Sequence, residues 1–241
     1  MKIAKITNIA LANAAMGQLI NRQDGLPGLG VLYGPSGYGK TTATVAVANQ
    51  TRAYYVQLRS AWTRKAFMEK VCIELGVEKG RNTAECLDNI CERLAASQRP
   101  LIIDEADYLV TRSGMVELVR DIYEGSQSPV LLVGEELMPN KLKRYERFHG
   151  RVLAWIPAQP VSKADAQALA QVYAPTVSIA DEVIDKLLAV SHGSVRRVAV
   201  NLVNLAELAD TQGCDEITLS TLKEAKGFDF YSGEAPARRR P

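Results

Sequence analysis

Gly30-Val31-Leu32-Tyr33-Gly34-Pro35-Ser36-Gly37-Tyr38-Gly39-Lys40-Thr41 is the stretch on which the fold turns. Its first four residues read as a short apolar strand and its middle as a glycine-rich turn, and Thr41 to Gln50 continues as an Ala- and Val-rich helix. The turn satisfies G-x-x-x-x-G-K-[ST] in full, between the two elements the motif requires. Gly37 and Gly39 let backbone N–H groups point inward at anionic oxygens, and the helix start adds its dipole and unpaired donors. Lys40 is expected to meet the β and γ phosphates and the Thr41 hydroxyl to complete a Mg²⁺ shell. The candidate set for ATP is therefore Gly34, Pro35, Ser36, Gly37, Tyr38, Gly39, Lys40, Thr41 and Thr42.

Outward from this turn, strands and helices alternate. Ala53 to Leu58 reads as a second strand, and helices follow over about Thr63 to Leu75 and Thr83 to Ser97. Pro100 opens the apolar strand Leu101 to Ile103. A helix from about Gly114 to Tyr123 leads to the strand Val130 to Val133, and a charged helix from about Lys141 to Phe148 feeds a last strand, Val152 to Ile156. Alternation of this kind implies parallel strands joined by crossover helices, an α/β sheet flanked by helices. Ligands of such sheets bind at the C-terminal ends of the strands, which is where Leu101-Ile102-Ile103 delivers Asp104 and Glu105. Asp104 is expected to hold Mg²⁺ through water, alongside Thr41. Glu105 is then placed to orient or deprotonate an attacking water, the part that hydrolysis needs beyond binding.

From Pro157 onward the pattern changes to four helices with no intervening strand: Ser162 to Tyr173, Ala180 to Ser191, Ser194 to Thr211 and Leu219 to Lys226. The expected division is an N-terminal extension over 1–25, an α/β nucleotide-binding domain over 26–157, a small helical domain over 158–227 and a disordered basic tail over 228–241 that carries Arg238-Arg239-Arg240. Within the extension, Ala10 to Met16 reads as a short helix that packs on its own core, on a neighbouring subunit or on the adenine.

With 47% hydrophobic residues in 241, the chain can bury a sizeable core, and a net charge of +2 excludes a purely electrostatic nucleic-acid binder. No stretch approaches the roughly 20 apolar residues of a membrane span, so a soluble protein is expected, with the cytoplasm as its default compartment. Cys72, Cys86, Cys91 and Cys214 form no CxxC pair and have no His spaced to complete a zinc site, which favours small hydrophobes in a reducing compartment.

With the phosphate turn, the Asp104-Glu105 pair and the helical domain in hand, the chain resembles the AAA+ ATPases over about Leu26 to Lys226. The resemblance implies an arginine finger before the last strand, acting on a neighbour's γ phosphate and hence in a homo-oligomer; Arg151 and then Arg147 are the candidates, with Arg144 third. It also implies a residue of His192-Gly193-Ser194-Val195-Arg196-Arg197 reaching back to the nucleotide, Arg196 or, with the other helix phase, Arg197. Glu135, in Gly134-Glu135-Glu136, stands where many members carry Asn, Ser or Thr, which implies slow or partner-dependent hydrolysis.

Within that family the layout is similar to the DNA transposition ATPases, the group of the phage Mu B protein and its relatives serving Tn7-like elements. Asp104-Glu105-Ala106-Asp107-Tyr108-Leu109, Gly134-Glu135-Glu136-Leu137 and Gly193-Ser194-Val195-Arg196-Arg197 carry the likeness. Initiator, helicase-loader and secretion ATPases share much of the pattern. The transposition resemblance implies an ATP-dependent helical oligomer on double-stranded DNA, bound without sequence preference, that delivers target DNA to a transposase in a bacterial host's cytoplasm. Positive charge is locally concentrated: Arg59, Arg64, Lys65 and Lys70 oppose only Glu69, and Lys141, Lys143, Arg144, Arg147 and Arg151 oppose only Glu146. The first group lies where related DNA-binding members face DNA, and the candidate phosphate contacts are Thr63, Arg64 and Lys65, with Thr111 and Arg112. The second group is assigned mainly to the subunit interface.

Overall fold

The computed structural model describes residues 4–225 and 227–234. Expectations for Arg238-Arg239-Arg240 lie outside these residues. The chain divides into two units: one holds residues 8–36 and 40–158, the other residues 159 onward with the N-terminal segment up to Thr7 and Gly37–Gly39.

The first unit contains α1 (Thr7–Ile20, from its second residue), β1 (Leu29–Tyr33), α2 (Lys40–Thr51), β2 (Tyr54–Gln57), α3 (Arg64–Leu75), α4 (Thr83–Ser97), β3 (Leu101–Asp104), α5 (Asp107–Val110), α6 (Met115–Ser126), β4 (Val130–Gly134), α7 (Met138–Leu142), α8 (Glu146–His149) and β5 (Val152–Pro157). The five strands form one parallel sheet in the order β2-β3-β4-β1-β5.

Strand alternation and register sort the side chains of this sheet. Tyr54 pairs with Leu101, Leu101 with Val130 and Val130 with Leu29, and two residues further Val56, Ile103, Leu132 and Val31 line up in the same way. These residues make one face, buried with Phe67, Val71, Ile90, Leu94, Val119 and Ile122 from α3, α4 and α6. The opposite face carries Tyr55, Ile102, Leu131 and Gly30 in one row and Gln57 beside Asp104 at the C-terminal end. A Cβ on Gly30 would lie 2.8 Å from Leu19 Cδ1, so α1 packs closely against this face and a side chain here would displace the Leu19 methyl. Ile9, Ala12, Met16 and Leu19 of α1 are buried at helical spacing, which places the expected short helix in its own unit's core and extends it at both ends.

Two expectations are corrected. The charged helix over 141–148 is two short helices. Pro139 at the start of α7 moves the first of them N-terminally, and Tyr145 breaks the run with φ −103° and ψ 70°. The Arg144 guanidinium donates to the Val110 carbonyl and lies over the Tyr145 ring, 4.9 Å from its centroid, so tertiary bonds outweigh local helix propensity there.

The helical unit is also not free of strands. Its helices are α9 (Lys163–Tyr173), α10 (Asp181–Ser191), α11 (Val195–Gln212) and α12 (Leu219–Glu224), and β6 (Ser178–Ile179) pairs in parallel with β7 (Glu216–Ile217). The two-residue ladder buries Ile217 in a small core with Val183, Leu205, Ala209 and Leu222. Ser162 caps α9 reciprocally with Asp165, and the buried Asp165 carboxylate also accepts from the Thr7 N–H at 2.7 Å and the Thr7 hydroxyl at 3.0 Å. Burial opposes its ionisation, but these donors outweigh it and hold the carboxyl below its ordinary value.

Candidate nucleotide site

β1 ends at the C-terminal edge of the sheet and releases the chain into the glycine turn. Gly37 and Gly39 adopt φ of +85° and +79°, in the left-handed region where a side chain is strained. Lys40, the first residue of α2, folds back over the turn: its Nζ donates to the Gly34 carbonyl at 2.6 Å and to the Pro35 carbonyl at 2.8 Å. Burial lowers the Lys40 pKa, and that effect exceeds the opposing pull of Asp104, Glu105, Asp107 and Glu135. An anion entering the turn would relieve both carbonyl bonds and supply the counter-charge that burial withholds.

Asp104 ends β3 on the sheet face that α2 covers, and this sheet geometry brings it to Thr41. Thr41 Oγ1 donates to Asp104 Oδ2 at 2.8 Å. Two further donors hold the same carboxylate: the Tyr55 hydroxyl at 2.7 Å from Oδ2 and the Glu105 N–H at 2.8 Å from Oδ1. Among the described residues no group of three or more His, Cys, Asp or Glu is gathered for a metal. A hydroxyl beside one carboxylate nevertheless suits Mg²⁺, a hard cation that keeps several waters and takes the rest of its shell from phosphate oxygens. Thr42, next on α2, is exposed.

Glu105 follows Asp104 with φ +54°, an uncommon conformation for a residue with a side chain. Burial raises its carboxyl pKa, the Asp104 charge adds to that, and Lys40 opposes it. A half-buried carboxylate of raised basicity, one residue from Asp104, has the properties a general base needs.

Sequence reasoning missed two members of this constellation. Tyr55 gave no signal beyond strand alternation. Asp107, buried at the start of α5, accepts from Lys141 Nζ at 2.9 Å and from the Glu135 backbone N–H. A Cβ on Gly134 would lie 2.1 Å from Met138 Sδ and 2.7 Å from Asp107 Oδ2, so glycine is required where the chain leaves β4. Glu135 is thus held by its backbone, with its side chain exposed.

The remaining candidates are dispersed. Arg147 is exposed, and its carbonyl accepts from Arg151, whose guanidinium pairs with Glu124 of the same chain. Within the helical unit, Ser194 caps α11 by accepting from the Arg197 N–H at 3.3 Å; the Arg196 N–H donates to the Gly37 carbonyl at 3.2 Å while its side chain is exposed. Thr63 caps α3 by accepting from the Ala66 N–H at 3.2 Å, and Arg64 and Lys65 follow as exposed residues, Lys65 within 3.8 Å of Glu69. Thr111 donates to the Tyr108 carbonyl at 3.0 Å, and Arg112 donates to the Ser60 carbonyl. Arg112 therefore ties the loop after α5 to the loop after β2, and both leave the sheet at the end where Asp104 lies.

A family model described as an AAA domain matches residues 23–142. No curated protein matches the chain. Among solved structures, it is similar to the Aeropyrum pernix Orc1 protein in complex with DNA (18% identity over 91% of this chain and 63% of that one, TM-score 0.58). It is also similar to Cdc6p from Pyrobaculum aerophilum (17%, 92% and 67%, TM-score 0.59) and to the Thermotoga maritima RuvB Holliday junction branch migration motor (19%, 91% and 68%, TM-score 0.61). The chain spans about two thirds of the length of these structures. The parallel sheet flanked by helices is the AAA+ α/β fold. Among the described residues no helix is long and apolar enough to cross a membrane.

Proposed function

We propose that this chain, with its AAA domain over residues 23–142, is a Mg²⁺-dependent ATPase that assembles on double-stranded DNA and serves a transposase. The observation that carries the ATPase reading is the 2.8 Å contact between Thr41 and Asp104 beneath a glycine turn capped by Lys40, with Glu105 beside it. Lys40 would exchange two carbonyl acceptors for phosphate oxygens. Thr41 and Asp104 would hold Mg²⁺, which when bound neutralises charge on the β and γ phosphates. Glu105 would accept a proton from the attacking water. Arg147 or Arg151 of a neighbouring copy would face the γ phosphate; Arg147 is exposed and has no ion pair among the described residues, whereas Arg151 must first leave Glu124. Arg196 and Glu135 are proposed to sense the nucleotide.

The DNA reading is supported by exposed Arg64 and Lys65 at the start of α3, with Thr63 and the neighbouring loop of Thr111 and Arg112. Such a row contacts phosphates without reading bases, which suits a protein that coats DNA. The transposition role rests on the sequence resemblance. Electron microscopy of the purified chain with a slowly hydrolysed ATP analogue, with and without duplex DNA, tests the assembly. DNA-dependent helical filaments are expected; closed rings that bind a protein client would point instead to an initiator or helicase loader.

A further inference from the structure

We propose that Tyr55 is a positioning residue for the metal-holding carboxylate, and that it selects which oxygen of Asp104 is left to serve the cation. The proposal rests on the nucleotide-site reading above.

β2 is the edge strand of the sheet, and its alternation places Tyr54 and Val56 in the core and Tyr55 and Gln57 on the opposite face. Tyr55 stands opposite Ile102, two residues before Asp104. Two residues along a strand are about 6.6 Å. A phenol spans that distance, whereas serine or threonine at the same position would fall short. The Tyr55 hydroxyl reaches Asp104 Oδ2 at 2.7 Å, and it does so from an anchored backbone, because the Tyr55 N–H at the open sheet edge donates to Glu74 at 3.4 Å.

Counting lone pairs gives the consequence. An ionised carboxylate offers about four acceptor positions, two on each oxygen. Oδ2 accepts from both Thr41 and Tyr55, which fills it, while among the described residues Oδ1 accepts from the Glu105 N–H alone. Oδ1 therefore keeps the free position for a water of the cation. Without the Tyr55 hydroxyl, Oδ2 would regain a vacant position, the carboxylate would rotate between two equivalent presentations, and Thr41 would lose its fixed partner. Replacing a residue that orients a metal ligand from behind typically costs about ten- to a hundredfold in metal affinity.

The test uses the full chain and fluorescently labelled ADP, titrated first in EDTA and then against Mg²⁺. For Tyr55→Phe, ADP affinity in EDTA and the thermal unfolding midpoint should match wild type. The Mg²⁺ concentration giving half of the metal-dependent enhancement should rise about tenfold. Gln57→Leu, on the same face without a bond to Asp104, should leave that concentration unchanged. An unaltered Mg²⁺ dependence in Tyr55→Phe overturns the proposal, as does an equal loss of affinity with and without metal, which would mark a purely structural tyrosine. Absence of any metal-enhanced ADP binding by wild type would instead overturn the nucleotide-site reading, and this proposal with it.

Discussion

Replacing Glu105 with glutamine removes one ionisable oxygen and leaves shape, volume and backbone demands intact. The φ of +54° is as costly for glutamine as for glutamate, so the strand-end geometry has no new reason to relax. Burial already pushes this carboxyl toward its neutral form, so the amide imitates a state that the site tolerates. Glu105 is one of four acidic residues whose charge acts on Lys40, with Asp104, Asp107 and Glu135. Neutralising one of them lowers the repulsion met by an incoming polyphosphate, so ATP affinity should hold or tighten. Hydrolysis should fall by about a hundred- to ten-thousand-fold, the usual contribution of a positioned base, equivalent to about 3–5 kcal/mol of barrier. The assay pairs steady-state phosphate release at saturating ATP with binding of a fluorescent ATP analogue. If the base assignment is right, Glu105→Gln also traps the ATP-dependent assembly. Phosphate release within severalfold of wild type would refute it, and so would loss of binding, since that would make Glu105 a ligand of the nucleotide.

Lys40→Ala should abolish nucleotide binding in the same fluorescence assay; affinity equal to wild type would sink the site assignment. Joint replacement of Arg64 and Lys65 by alanine should weaken duplex binding and reduce the slope of log affinity against log salt by about 1.8, the value for two lost phosphate contacts. An unchanged slope would remove both residues from the interface. Arg147→Ala should lower turnover, and mixing it with Lys40→Ala subunits, which keep Arg147 to serve the neighbouring active site, should restore part of the loss; Arg151→Ala should lower turnover less because its guanidinium is engaged by Glu124, and a larger loss from Arg151→Ala would reverse the order. Asp165→Asn should lower stability by about 1.5–3 kcal/mol at neutral pH, through lost charge-assisted bonds from Thr7 and Ser162. Because the folded carboxyl lies below its ordinary value of 3.8, this difference should be complete above that pH and shrink as pH falls below it, measured as the gap between thermal midpoints. A gap that widened with acidity would contradict the depressed pKa.

The readability of the sequence followed the range of the interactions. The strand, turn and helix around Lys40 were legible because each residue type answers a local need, and the apolar strand before Asp104 was legible for the same reason. The ladder of Ser178–Ile179 with Glu216–Ile217 was not, since two residues carry no period and the pairing rests on backbone bonds between distant segments and on burial of Ile217. The 141–148 stretch misled because Arg144 is captured by Val110, a partner 34 positions away. Tyr55 and Asp107 escaped for a related cause: their partners, Asp104 and Lys141, are distant in the chain and meet only through sheet register and the loop after β4. All four cysteines are free thiols, with burial pushing the Cys72 thiol up and Cys91 up to about 11, which favours the protonated form of both at neutral pH.

The strand order has a consequence for how the molecule comes into being. β1, which launches the phosphate turn, lies between β4 and β5, the last two strands of its sheet to be synthesised. A nascent chain that has exposed residues only as far as α2 holds the whole glycine motif and none of the walls that fix it. Pairing must wait until Val130–Gly134 and then Val152–Pro157 emerge, a long-range closure of the kind that slows folding. Completion of the proposed nucleotide site is therefore a late event in biogenesis, and a ribosome-bound chain stalled before β4 should be unable to retain nucleotide even though every residue of the motif is already outside the exit tunnel.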